Sequence, residues 1–280
     1  MKNKIVEVHN LCLRLAGKPV LNQLSAAFEQ GETVLIAGKN GSGKSSFLRC
    51  LAGIYFADEG EIEFGRLSSR KKLGFISDKM SLLEHWTLAQ GIDFHCRVYG
   101  VAAFNPSLID ELHLPLNRKI KHLSSGERAI YHLSLLISQQ PELLLVDEVI
   151  HMMDPYMREL FLDTLIDLIA EFNTTVIMVN QTFAETGRLP ERIVVMEEGG
   201  FVLDEKSEQL TQKVKKVVTD QPLESDLPVL FKKESPLLNE YFIYPFKPEW
   251  AKKYSLPFQG VDLTEIIKAF IGGYYDKKRV

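Results

Sequence analysis

The stretch that most limits what this chain can fold into is Ala37-Gly-Lys-Asn-Gly-Ser-Gly-Lys-Ser-Ser-Phe-Leu48. It carries G-x-x-x-x-G-K-S, with Gly38, Gly43, Lys44 and Ser45 in the fixed places. Ahead of it, Glu32-Thr-Val-Leu-Ile-Ala37 reads as a short buried strand. Behind it, Ser45-Ser-Phe-Leu-Arg-Cys-Leu-Ala52 reads as the start of a helix. A strand, a loop of small residues and a helix in that order let backbone N–H groups curl round a phosphate. The helix N-terminus adds positive dipole character there. Gly38, Lys39, Asn40, Gly41, Ser42, Gly43, Lys44, Ser45 and Ser46 are therefore candidate phosphate-binding residues. Lys44 would reach the β and γ phosphates, and the Ser45 hydroxyl would ligate Mg²⁺.

A chain of 280 residues can bury a sizeable core in one large domain or two unequal ones. Its formal charge of −4 argues against a broad basic surface, so no nucleic-acid partner is expected. Cys12, Cys50 and Cys96 stand far apart without metal-ligand spacing and fit buried, inert thiols in a reducing compartment. No apolar run approaches the roughly 18 residues of a membrane helix. The opening MKNKIVEVHN has no apolar h-region, so no signal peptide is expected. The histidines show no i, i+4 ligand pair, so no metal site beyond nucleotide Mg²⁺ is expected.

Strand-like alternation runs through 4–36, at Ile5–Val8, Ala26–Phe28 and Val34–Ile36, with turn signals at Ala16–Pro19 and Gln30–Glu32. Further strands are expected at Glu61–Phe64 and Lys72–Ser77. A helical pattern follows over 81–136. Leu143–Val146 and Thr175–Val179 are fully apolar strands flanking a helix at about Tyr156–Phe172, and Ile193–Met196 and Phe201–Leu203 close this part. Strands alternating with helices argue an α/β fold with a largely parallel core. Residues 208–280, with prolines and aromatics concentrated over 220–260, read as a small C-terminal module after a main domain at 1–207.

A second constellation ties to the first. Leu143-Leu-Leu-Val-Asp147-Glu148 puts two carboxylates at the end of an apolar strand. In a phosphate-loop fold the first can hold Mg²⁺ and the second can polarise a water for attack on a γ-phosphate. Upstream, Leu123-Ser-Ser-Gly-Glu127 opens a helix. This resembles the signature loop of the ATP-binding cassette (ABC) family, usually LSGGQ, and the order of phosphate loop, signature and acidic strand is that family's order. The resemblance covers essentially the whole chain. It implies an α/β P-loop NTPase of ABC type, with a parallel-sheet core, an N-terminal antiparallel β subdomain, a helical subdomain near 81–136 and the C-terminal module.

The resemblance also implies function. Ser124, Ser125 and Gly126 would grip the γ-phosphate bound by a partner subunit, and Asp147 and Glu148 would act as metal ligand and catalytic carboxylate. Residues 83–100 look like the segment of ABC-2-type exporter ATPases that contacts the membrane subunit. Met153-Asp154-Pro155 is similar to the family's D-loop, and 262–273 resembles the C-terminal helix of drug- and polysaccharide-exporter ATPases. The implied protein is a MgATP-binding ATPase on the cytoplasmic face of a membrane. It pairs with a second ABC subunit, in a homodimer or heterodimer, and energises an integral permease, in export. The other reading is an ABC-type ATPase acting as a regulatory switch without a channel.

Three positions depart from the family pattern. Leu15 stands where an aromatic usually stacks on adenine. Asp78 stands where a glutamine usually ligates Mg²⁺, and joins Ser45 and Asp147 as a candidate metal ligand, shorter and charged. Gln181, or Asn180 after a one-residue shift, stands where a switch histidine is usual. Glutamine can hydrogen-bond a γ-phosphate but cannot carry a positive charge there. These departures imply a site that binds MgATP and turns it over slowly, with Gln181 and Glu148 as its catalytic pair.

Overall fold

Three runs, Thr33–Ala37, Leu143–Asp147 and Thr175–Val179, are buried at every residue. Strands with this pattern belong in the middle of a parallel sheet covered on both faces. The computed structural model, which describes residues 3–77, 83–180, 186, 189–223, 226–254 and 256–277, places them there. They are β3, β6 and β7. With β5 (Leu73–Ser77), β8 (Arg192–Glu197) and β9 (Gly200–Lys206) they form a six-stranded sheet in the order β5-β6-β7-β3-β8-β9. All neighbours are parallel except the β8–β9 hairpin.

The two-residue period of each strand divides the core. Leu35, Leu144, Val146, Val176 and Met178 face α4 (Ser125–Ser138) and α5 (Pro155–Phe172). Val34, Ile36, Leu145, Ile177 and Val179 face the other way, onto Phe47, Leu48 and Leu51 of α1 (Lys44–Leu51). Each such aliphatic side chain contributes about 1.5–3 kcal/mol by leaving water. The same second face is covered by a long antiparallel hairpin, β1 (Lys4–Leu15) and β2 (Lys18–Glu29), with β4 (Glu59–Glu63) on the outer edge of β1. The strands expected at Ile5–Val8 and Ala26–Phe28 are thus parts of two 12-residue strands, turned at Ala16-Gly17.

The helical stretch expected over 81–136 is more broken than its apolar spacing implies. α2 (Leu88–Tyr99), α3 (Ser107–Glu111) and α4 are separated by irregular segments at 100–106 and 112–124. They share a small core of Leu88, Ile109, Ile120, Leu123, Tyr131 and Leu135. Gly91 is required by this packing: a Cβ there would lie 2.2 Å from the Tyr131 hydroxyl, which donates to the Leu88 carbonyl at 3.0 Å.

After β9 come α6 (Ser207–Lys213) and an antiparallel sheet β10-β12-β11 built from Lys215–Thr219, Asn239–Ile243 and Val229–Lys233. α7 (Trp250–Lys253) and α8 (Leu263–Lys277) follow. One side of this sheet closes its own cluster of Val217, Leu227, Tyr241, Ile243 and Tyr254. Leu210, Val214, Phe242, Ile266 and Ile267 instead join the core under α4 and α5. The C-terminal segment is therefore built onto the central sheet's own hydrophobic core.

Candidate functional site

The C-terminal ends of β3 and β6 bring the first group of candidates together. β3 leads into the glycine-rich loop, and three of its glycines have positive φ: 152° at Gly38, 81° at Gly41 and 107° at Gly43. A Cβ at Gly38 would lie 2.2 Å from the Met196 carbonyl, and one at Gly43 would lie 2.8 Å from the Val20 carbonyl. The loop is thus pressed against β2 and the β8–β9 turn, where the Gly199 N–H donates to the Ser42 carbonyl at 3.1 Å. Gly41 faces the opposite situation, with nothing within 4 Å of an added Cβ. Asn40 and Gly41 are exposed, Lys39, Ser45 and Ser46 half-buried, and Ser42 and Lys44 buried.

These features fit a phosphate group. Among the described residues no side chain caps α1, which leaves its first-turn N–H groups without a side-chain acceptor there. The Ser42 Oγ is buried without a hydrogen-bond partner among the described residues. The Lys44 ammonium donates to the Gly38 carbonyl at 2.9 Å and the Lys39 carbonyl at 2.8 Å, so it lies over the loop. Burial pushes its pKa below the ordinary lysine value, and the nearby Glu148 and Asp147 carboxylates partly oppose this.

Asp147, 1% exposed, ends β6 beside the loop. Its Oδ1 accepts the Ser45 hydroxyl at 2.7 Å, and its Oδ2 lies 3.7 Å from the Arg49 guanidinium. A hydroxyl and a carboxylate at one spot are hard oxygen donors of the kind Mg²⁺ takes. Glu148 follows with φ of 52°, the left-handed region that a non-glycine residue enters at a cost. Its N–H donates to the Val179 carbonyl at 3.0 Å. Asn180, 1% exposed, follows Val179 at the end of β7, and Val179 registers with Asp147. Asp78 and Gln181 lie outside the described residues. Leu15 is 36% exposed at the end of β1, paired with Lys18; from this hairpin it is Val20 and Leu21 that touch the loop.

Ser124, Ser125 and Gly126 form a second group at the N-terminus of α4. Ser124 is the N-cap: its Oγ accepts the Glu127 N–H at 3.1 Å, while its own N–H donates to the Glu127 carboxylate at 2.7 Å. A hydroxyl that accepts on one side keeps its proton for another acceptor. The Ser125 hydroxyl donates to the Met152 carbonyl at 3.3 Å. A Cβ at Gly126 would lie 2.5 Å from the Met157 Sδ, so this glycine lets α5 approach α4. Met153-Asp154-Pro155 is the start of α5, with Asp154 as its N-cap, accepting the Met157 N–H at 2.9 Å.

Two features escape sequence reasoning. Arg118 clamps Glu127 through hydrogen bonds of 2.8 and 3.2 Å. Burial would raise the Glu127 pKa, but the Ser124 and Arg118 hydrogen bonds outweigh it and hold the carboxyl below its ordinary value. His95 of α2 and His132 of α4 are close enough to interact, and burial pushes both down to about 4, so both are neutral at ordinary pH. An S-x-x-E pattern at Ser124–Glu127 was available as a capping signal; nothing in the spacing of His95 and His132 pairs them. Among the described residues no cluster of three or more metal-ligating side chains occurs.

Comparison with known proteins identifies this arrangement. The family model for ABC transporters matches residues 21–151. The aliphatic sulfonates import ATP-binding protein SsuB 2 of Rhizobium johnstonii is 31% identical over 72% of this chain and 81% of its own length. The ABC transporter ATP-binding protein YtrB of Bacillus subtilis is 27% identical over 73% of this chain and 74% of its own. A solved dimeric ATP-binding cassette, described as a post-hydrolysis state bound to ADP and Pi, superposes with a TM-score of 0.63 at 21% identity, covering 72% of this chain and 98% of that one. These matches show the fold and the family: this chain belongs to the ABC transporter family, as an ATP-binding subunit with ATPase activity.

Proposed function

We propose that this chain and a second ABC subunit form a clamp that closes on ATP and drives a separate integral membrane subunit. Each nucleotide lies between the glycine-rich loop of one subunit, Gly38–Ser46, and Ser124–Gly126 of the other. Ser45 and Asp147 would hold Mg²⁺, which when bound would neutralise phosphate charge. Glu148 orients the attacking water and takes its proton as the oxygen–phosphorus bond forms and the β–γ bridge breaks. Leu15 supplies an apolar contact for the base. Asp78 and Gln181 replace the usual glutamine and histidine, and slow the site. The isolated chain pairs with its own copy; in a heterodimer a fully equipped partner would supply the faster site. Residues 1–207 serve as the nucleotide-binding domain and 208–280 as an accessory module.

The observation that carries the membrane-coupled reading is an exposed apolar ridge on the helical subdomain. Leu83 is 48% exposed and Phe94 49%, and Trp86 packs edge-on to Phe94 at 5.3 Å between centroids. Val98, one turn after Phe94, continues the ridge along α2. A regulatory switch that met only water would gain nothing from such a surface. Among the described residues no helix is long and apolar enough to cross a membrane. The relatives named for a direction, such as those for sulfonates and Fe³⁺, are import proteins, so the expectation of export is withdrawn.

The test is purification of the tagged chain from detergent-solubilised native membranes. A multi-span protein should accompany the parent and be lost with Phe94→Asp. A chain that purifies alone, with or without the substitution, favours the switch.

A further inference from the structure

Between the apolar ridge and the signature loop lies a segment to which the phosphate chemistry assigns no role. Residues 84–89 and 116–121 run side by side. The Arg118 carbonyl accepts the Leu88 N–H at 3.0 Å, and the Leu116 carbonyl accepts the Ala89 N–H at 3.0 Å. In return the Trp86 carbonyl accepts the Ile120 N–H at 2.9 Å and the Glu84 carbonyl accepts the Lys121 N–H at 2.9 Å. Leu88 and Ala89 open α2, and their N–H groups have no acceptor inside the helix. The Thr87–Gln90 capping box starts α2, and the 116–121 segment adds the acceptors that the box leaves unfilled.

The side chains of the same segments reach the first turn of α4. The Arg118 guanidinium makes its two bonds to Glu127 and a third to the His122 carbonyl at 2.6 Å. One residue on, the Arg128 guanidinium donates to the Glu84 carboxylate at 3.0 Å. The two ties differ in strength. The Glu84 side chain is 55% exposed, so solvent screens its pair. Glu127 is 18% exposed, and a bidentate guanidinium fixes the plane of its carboxylate. That carboxylate is also the acceptor for the Ser124 N–H, so the orientation of Ser124 follows the orientation of Glu127.

We propose that Arg118 is a positioning residue that ties the segment bearing Leu83 and Trp86 to the signature loop by holding Glu127. Its main chain helps cap the ridge helix and its side chain sets the signature serine, so the two move as one body. This inference rests on the clamp reading, because only a partner's nucleotide gives the signature loop something to align with. Without the guanidinium, Glu127 keeps its capping role but gains rotamer freedom. The loop then meets the partner's phosphate in the wrong orientation more often, while the chain's own phosphate loop is untouched.

The experiment compares the full-length parent with Arg118→Ala, Arg118→Lys, Glu127→Gln and the Arg118→Ala/Glu127→Gln double variant. It reads steady-state kcat and KM for ATP, calorimetric ATP affinity of the monomer, and melting temperature. Arg118→Ala should lower kcat about tenfold, the loss expected of one charge-assisted bond, and leave monomer affinity within about twofold. Lysine should restore only part of the rate, because it lacks the fork. The double variant should be no slower than the slower single one, since both residues act through one contact. Should Arg118→Ala fail to fold, Glu127→Gln keeps the cap geometry and should still slow turnover with affinity unchanged. An unchanged kcat in the variants, or losses that multiply in the double variant, overturns the proposal. If the parent neither hydrolyses ATP nor dimerises with it, the clamp reading falls first and this inference with it.

Discussion

Replacing Lys44 with alanine separates the phosphate site from the rest of the fold. The lysine side chain is 4% exposed, and its ammonium rests on the Gly38 and Lys39 carbonyls at 2.9 and 2.8 Å. Those bonds join a charged donor to neutral acceptors. A phosphate oxygen offers a charged acceptor instead, worth about 1.5–3 kcal/mol, which alanine forfeits entirely. ATP affinity should therefore fall about ten- to hundredfold. The fold should lose much less, because removing a buried ammonium also removes its desolvation cost. There is a pH signature as well. Burial holds the Lys44 pKa below the ordinary lysine value, and a bound phosphate draws the proton back. Above that lowered pKa, ATP binding takes up a proton, so affinity declines as pH rises through it; the alanine variant lacks this decline. Calorimetry across alkaline pH, in two buffers of different ionisation enthalpy, reads both quantities. Equal affinity for parent and variant, or the same proton uptake in both, would refute the assignment of Lys44 to the phosphate.

Two further outcomes follow from the site and its supports. His95 and His132 titrate near 4 in the folded chain and near 6.5 when unfolded, so unfolding takes up protons between those values. Stability should be full above pH 6.5 and fall as pH drops toward 4, and His95→Phe should remove roughly half of that fall in a melting series. Gln181→His should raise the ATPase rate of the isolated chain, since a cationic partner stabilises developing phosphate charge better than an amide. A slower variant would instead make Gln181 a working replacement.

The parts legible in the sequence are those set by neighbours along the chain. The glycine-rich loop reads directly because its chemistry needs Gly38, Gly43, Lys44 and Ser45 within eight residues. The central strands read as apolar runs because parallel strands are buried on both faces. What stayed hidden depends on contacts between distant segments. The β1–β2 hairpin runs beyond its apolar residues because Arg14 and Leu15 pair with Pro19 and Lys18 at an exposed end that carries little burial signal. The C-terminal sheet puts β12 between β10 and β11, an order no local pattern specifies. Ser42 is recognisable as a motif residue, but only packing shows its hydroxyl buried and, among the described residues, unpartnered. The Arg118 clamp joins residues nine apart across an irregular loop, where neither helical nor strand periodicity points one at the other.

The most direct test of the clamp is the assembly state of Glu148→Gln. The amide keeps the shape of the side chain, leaves the backbone held by its N–H bond to Val179, and removes only the proton acceptor. Size-exclusion chromatography with light scattering should find this variant dimeric with MgATP, and monomeric with MgADP or without nucleotide. A variant that stays monomeric with MgATP, or that hydrolyses ATP at the parent rate, would contradict both the clamp and the role of Glu148 in it.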